Sequence, residues 1–201
     1  MIDVLAKVRA HLREHFAGVG ITADPDEASV TFLGAEKIDV LRFGPDLRPE
    51  FEGVFHYVSL GCSRHPMFDP TELVTDALHG PRAEVTVGLR GPSPSGLHRS
   101  VALLAAAPGV EGLMLEPDAL IDLESPLWDS APFTAFLLGR SDIDDVSLTP
   151  PLPPVTVLAA TPITATEAAW VRLKGADAMR EAWQQDGVDV LDPARRAAQP
   201  G

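Results

Sequence analysis

Cysteine is nearly absent: Cys62 is the only one in 201 residues. The chain therefore has no internal disulfide and no cysteine metal cluster. Basic residues are scarce, with 16 Lys and Arg against 29 Asp and Glu and a formal net charge of −13. Nucleic-acid binding needs clustered cations to displace counterions from phosphate, so that partner class is set aside. Docking on anionic lipid is set aside on the same charge argument. Long apolar runs are missing too. The stretch Val101 to Pro108 is among the longest and falls far short of a bilayer span. The opening Met1-Ile2-Asp3-Val4-Leu5 carries an acid at position 3 and no long apolar core, which does not fit a secretory signal. These absences lead us to expect a reducing cytoplasm. There is no glycine-rich dinucleotide fingerprint. Gly91 and Gly96 have the first spacing of a phosphate loop but lack the Lys-Ser/Thr that must follow.

Enough is present for a packed core. Hydrophobic residues make up 45% of the chain, and its length suits one domain. We expect that domain over residues 1–196, with 197–201 as a frayed tail. The acidic balance favours solubility, and it attracts basic partners within about one Debye length, ~8 Å at physiological salt.

Residues 1–17 carry Leu5, Val8, Leu12 and Phe16 at helical spacing. Strands are expected at Ser29 to Leu33, Ile38 to Phe43, Phe55 to Leu60 and Ala83 to Arg90. More are expected near Ala119 to Leu123, at Phe133 to Leu138 and at Val155 to Ala160. Asp69-Pro70-Thr71-Glu72 reads either as a capped helix start, with Leu73, Val74, Ala77 and Leu78 as its apolar face, or as a loop with one helical turn. Leu97 to Ala107 reads as a helix ended by Pro108-Gly109. Thr164-Ala165-Thr166-Glu167 fits a capping box for a helix to Lys174, and Asp177 to Gln185 a second helix. Strands outnumber helices and often follow one another directly. The expected class is α+β, a mostly antiparallel sheet flanked by helices, which we place against one face.

Several groups of residues carry candidate chemistry. Cys62 and His65 are three apart, the spacing at which a thiolate and a cationic His can meet; the competing reading is a partly buried, inert thiol. No serine sits in a Gly-x-Ser-x-Gly elbow. His11 and His15 are four apart on the first helix, but a third ligand is not evident, so no metal and no cofactor is expected. Asp142-Ile143-Asp144-Asp145 begins like a calcium loop yet lacks its glycine and its closing glutamate, leaving a solvated acidic loop. Glu84 lies on a strand whose other face is apolar. It suits a cross-strand salt bridge to an Arg, or a grip on a partner. Trp128 follows Ser125-Pro126-Leu127 in an irregular segment and is the tryptophan expected to be partly exposed, as an interface anchor. Tyr57, the only tyrosine, serves either packing or peptide recognition. The binding candidates are thus Tyr57, Trp128 and Glu84.

Six segments occur in a telling order. They are Phe55-His56-Tyr57-Val58-Ser59-Leu60-Gly61-Cys62-Ser63, the strand Ala83 to Arg90, Ser125-Pro126-Leu127, and Val155-Thr156-Val157-Leu158. Pro162 to Glu167 with Trp170, and Asp192-Pro193-Ala194-Arg195-Arg196, complete the set. Together, over roughly residues 50–196, they resemble the suppressor-of-fused domain. The resemblance implies a non-enzymatic regulator. Animal members sequester zinc-finger transcription factors by adding an extended peptide as a strand in a cleft between two domains, and backbone hydrogen bonds supply affinity in such a mode. It also puts Tyr57 at the position of a tyrosine used for that peptide. The length matches the N-terminal domain alone, so we expect the two-domain clamp to be absent. Bacterial members look like immunity proteins of polymorphic toxin systems, which implies a basic toxin as partner. A regulatory scaffold and a small Cys/His or Ser/His hydrolase stand as the alternatives.

Overall fold

The computed structural model describes residues 3–74, 76 and 78–199. Asp3 opens it by accepting a hydrogen bond from the Ala6 amide, and so caps helix α1 (Val4–Gly18). Val4, Val8, Leu12 and Phe16 form the buried stripe of α1, as their spacing requires. The first two residues of the expected helix lie outside the described residues.

Seven strands form one sheet: β1 (Asp26–Val30), β2 (Ile38–Phe43), β3 (Val54–Leu60), β4 (Arg82–Arg90), β5 (Leu120–Asp122), β6 (Phe133–Arg140) and β7 (Val155–Thr164). Their order is β1-β2-β3-β4-β7-β6-β5. Every neighbouring pair is antiparallel except β4 with β7. That pair is parallel because the chain leaves β4 through helix α2 (Leu97–Glu111) and the β5–β6 hairpin before returning. Helices α3 (Ala165–Lys174) and α4 (Ala176–Gln185) complete the α+β fold.

The alternation of β4 shows how the sheet divides. Ala83, Val85, Val87 and Leu89 pack with Leu97, Val101 and Leu104 of α2 on one face. On the other face α1 covers Leu41, Phe43, Val58 and Val157, while α3 and α4 cover Ala135, Leu137 and Ile163. Helices therefore lie on both faces, not one. The reason is that β2, β6 and β7 each bury side chains on both sides, and one helical layer covers only one.

Two local expectations change, and of the two readings of the Asp69 segment the loop with one turn is the one found, its Glu72 amide on the Asp69 carbonyl at 3.0 Å. β1 runs three residues earlier than Ser29, because Asp26 to Val30 pair in register with Arg42 to Ile38. Phe32 to Ala35 instead close a turn, with the Ala35 amide on the Phe32 carbonyl. α2 continues through Pro108 to Glu111 and stops only at Gly112, whose φ of 69° is the left-handed cap that glycine takes without strain. No helix follows Asp69 among the described residues. The Asp69 carboxylate accepts from the Thr71 amide and hydroxyl, a local turn that competes with helix capping. Of that expected apolar face, Leu73 and Val74 are exposed, and Ala77 lies outside the described residues.

Candidate functional site

β3 ends at Gly61, whose φ is 152°; a Cβ there would lie 2.8 Å from Ile38 Cδ1 and 3.0 Å from the Lys37 carbonyl. Only glycine lets β3 turn this close to β2. The chain then makes one 3-10 turn, Cys62–Arg64. The buried Glu84 carboxylate on β4 fixes that turn. It accepts from the Gly61 amide at 2.9 Å, the Ser63 amide at 2.9 Å, the Ser63 hydroxyl at 2.6 Å and the Ser59 hydroxyl. Arg82 adds a second tie, donating to the Ser63 and Arg64 carbonyls at 2.8 Å each.

The turn forms one wall of a groove of 370 Å³, and the C-terminal half of α2 forms the other. Ile38, Met67, Ala105 and Ala106 make an apolar floor. At the mouth Val110 is 61% exposed and Phe68 37%. Exposed apolar side chains gathered around a concave floor mark an interaction surface. The rim is polar. His65 Nε2 lies 2.6 Å from Glu36 Oε2, with Arg64 at 3.3 Å from the same oxygen. The hydrogen bond from His65 holds the Glu36 carboxyl below its ordinary range, with Arg64 adding to the effect. The groove thus suits an apolar side chain flanked by groups that meet an ion-paired rim.

Cys62 and His65 both line this groove, but the structure gives them separate roles. Burial, and then the Glu84 carboxylate, push the Cys62 thiol well above its ordinary value, which keeps it protonated. The His65 ring is engaged by Glu36. On α1, His11 Nε2 meets the Asp144 carbonyl at 2.9 Å, while His15 Nε2 is buried and makes no hydrogen bond among the described residues, its nearest carboxylate being Asp142 at 3.9 Å. No cluster of three metal-ligating side chains occurs among the described residues, and no helix there is long and apolar enough to cross a membrane.

The three binding candidates fall in different places. Glu84 is fully buried and forms no salt bridge among the described residues. Hydroxyls and amides take the place of the expected Arg, because β3 presents Ser59 and its end turn there, while Arg82 faces carbonyls. Tyr57 is buried against α2, its hydroxyl 2.6 Å from Ser93 Oγ. Trp128 is only 8% exposed and packs on Phe133. Its segment is held down by the Ser100 hydroxyl on the Leu127 carbonyl and by the Leu127 amide on the Phe133 carbonyl. Val110 and Phe68, which line the mouth, were not singled out from the sequence. Val110 lies beyond Pro108, where the helix was expected to have ended.

Residues 34–196 match the family model described as Suppressor of fused protein. No curated protein sequence matches the chain. Among solved structures, a suppressor-of-fused homologue from Neisseria gonorrhoeae FA 1090 is similar at TM-score 0.67 and 17% identity, covering 98% of this chain and 97% of that one. The Sufu–Fu complex matches at TM-score 0.67 and 15% identity, over 96% of this chain and 91% of that one. Drosophila Suppressor of Fused matches at TM-score 0.63 and 14% identity, over 96% of this chain and 50% of that one.

Proposed function

The chain belongs to the suppressor-of-fused family, and from that premise we propose that it is a non-enzymatic protein-binding module using the groove between the β3 turn and α2. The carrying observation is the pairing of an apolar floor with exposed Val110 and Phe68 at its mouth. A related fold in complex with Fu supports the reading. Residues 1–196 act as one domain in this proposal. Glu84 enters as a positioning residue that holds the groove wall, and Tyr57 and Trp128 support the α2 wall from within.

The partner is a basic polypeptide, and the module acts in the cytoplasm as an immunity protein that neutralises a toxin. The charge of −13 favours a cationic partner through long-range attraction. A scaffold for an extended peptide is the second reading, favoured by the unpaired outer edge of β1.

The test is capture of the partner by tagged protein in its native host, beside the variant Val110→Glu. Val110 is exposed, so the change leaves the core intact, but it puts a charge at an apolar contact. Binding of the identified partner should weaken at least about tenfold by calorimetry. Loss of that partner's toxicity on mixing supports immunity; a partner without toxicity supports the scaffold. Equal binding by Val110→Glu rejects the groove. Turnover of a small substrate that vanishes in Cys62→Ala or His65→Ala rejects the non-enzymatic reading.

A further inference from the structure

On the face that carries α1, α3 and α4, the middle of the sheet is floored by small or polar side chains. Thr86 and Gly88 of β4 and Ala159 and Thr161 of β7 lie there, and a cavity of 160 Å³ opens above them. Phe51, Pro162 and Leu191 give it apolar sides; Arg140, Ser141 and Asp142 complete the rim, with Arg140 exposed, Ser141 donating to the Val157 carbonyl and Asp142 paired to Arg48. Gly88 permits this closeness, since a Cβ there would sit 3.2 Å from Leu191 Cδ2.

Two polar atoms of residues lining this cavity make no hydrogen bond among the described residues. Thr86 is 8% exposed, and its hydroxyl oxygen makes no hydrogen bond among the described residues. Buried hydroxyls are normally satisfied, so this one asks for a ligand. His56 is 7% exposed, and its Nε2 lies 2.8 Å from Asp46 Oδ2. Its Nδ1 forms no hydrogen bond among the described residues and lies 3.8 Å from where a Gly88 Cβ would be. Burial opposes ionisation of Asp46, but the Arg48 side chain and amide and the His56 ring outweigh it and hold the carboxyl at about 2. An ionised carboxylate only accepts, so His56 Nε2 carries the proton. Burial keeps the ring neutral by lowering its pKa, an effect that the Asp46 bond only partly offsets. Nδ1 is then a lone-pair acceptor.

The cavity therefore presents an acceptor at His56 and a hydroxyl able to donate at Thr86. His56 pairs with Gly88 across the strands, so His56 and Thr86 are diagonal neighbours on one face of the β3–β4 pair, about 7–8 Å apart. A carboxamide head with two hydrogen bonds of ~2.9 Å spans that separation. We propose that this cavity binds a neutral carboxamide, with N–H donated to His56 Nδ1 and the carbonyl accepting from Thr86. A carboxylate would face the His56 lone pair. An ammonium would find the one carboxylate of the lining, Asp142, already paired with Arg48 at 2.7 Å, and would lose its hydration against Phe51, Pro162 and Leu191. The inference is independent of the groove at α2.

The test is amide-resolved NMR titration of the full chain with propionamide, beside its charged analogues propionate and propylammonium. Saturable shifts at Thr86, Gly88 and Leu191 with propionamide, and at least about tenfold weaker binding of the charged pair, are expected. Thr86→Val, which keeps the shape and removes the hydroxyl, should weaken propionamide about tenfold, and Thr86→Ser should retain it. A capped glutamine dipeptide binding more tightly than propionamide identifies the source as a polypeptide side chain. Weaker binding of the dipeptide identifies a free small amide. Absence of saturable shifts, equal binding of the charged analogues, or indifference to Thr86→Val overturns the proposal.

Discussion

Two fully buried glutamates are held in opposite ways. Glu167 has a cation: Arg195 reaches it at 2.8 and 3.0 Å, and Trp183 Nε1 and the Ala198 amide donate at 3.0 Å each. Burial opposes its charge, but the Arg195 bonds, followed by those from the Thr164 and Ala198 amides, lower its pKa overall. Glu84 has no cation and relies on four neutral donors. Such an arrangement depends on every donor pointing inward, because the low-dielectric interior penalises any mismatch. Glu84→Gln keeps the size but turns an amide NH₂ toward groups that donate. It should cost about 1–3 kcal/mol, the penalty for an unsatisfied buried donor, and loosen the Cys62–Arg64 turn. Urea denaturation measures the loss; a cost below ~0.5 kcal/mol would mean that the turn stands without the carboxylate. Glu84 stood out in the sequence as an acid in an apolar strand. Its partners did not, because they lie 21 to 25 residues away and are fixed only by the β3–β4 register.

At the scale of elements, the junction of β7 and α3 is where sequence and structure agree most closely. Thr164 ends the strand, accepts from the Glu167 amide at 3.2 Å and has its own amide bound by the Glu167 carboxylate at 2.9 Å. One residue closes the ladder and starts the helix, as the Thr-x-x-Glu spacing implied. Thr164→Ala should cost about 1 kcal/mol. For a chain of this length that is a fall of roughly 2–4 °C in the melting temperature, read by thermal denaturation. No measurable change would show that packing of Ala168 and Val171 alone fixes α3. The same type of signal failed at Asp69. There Thr71 satisfied the carboxylate locally, and the described apolar residues of the segment, Leu73, Val74 and Leu78, face solvent and supply no buried surface to pull it into a helix. Capping chemistry is local and legible, whereas the apolar face that makes a cap worth forming depends on what the rest of the chain places opposite it. Helices on both faces, and the exposed Val110 past Pro108, were hidden for the same reason.

At the scale of the whole molecule, one charged cluster ties four parts of the chain together. Asp46, after β2, bonds Arg48 and His56 of β3. Arg48 reaches Asp142, beyond β6, at 2.7 Å, and Asp142 lies 3.9 Å from His15 of α1. Burial first, opposed in part by nearby carboxylates, lowers the pKa of His15 and of His56. Their unfolded counterparts begin to protonate near pH 6.5. The stability the two rings contribute is therefore present above that pH and is lost as pH falls through their folded values. Asp46 has the same sign: depressed from 3.8 to about 2, it contributes fully above pH ~4 and is lost as pH falls toward 2. That shift corresponds to about 2 kcal/mol. A competing effect runs the other way, because acidification relieves the repulsion of 29 carboxylates against 16 cations. Removing one member of the cluster separates the two effects. Urea denaturation from pH 7 to pH 3 should show stability falling with acid in the native protein. Asp46→Asn should start lower at pH 7 and give a shallower fall below pH 4, because the group that titrates there is gone. The charge repulsion it leaves behind is nearly unchanged. Parallel curves for the two proteins would assign the acid sensitivity to overall charge and remove Asp46 from any part in it.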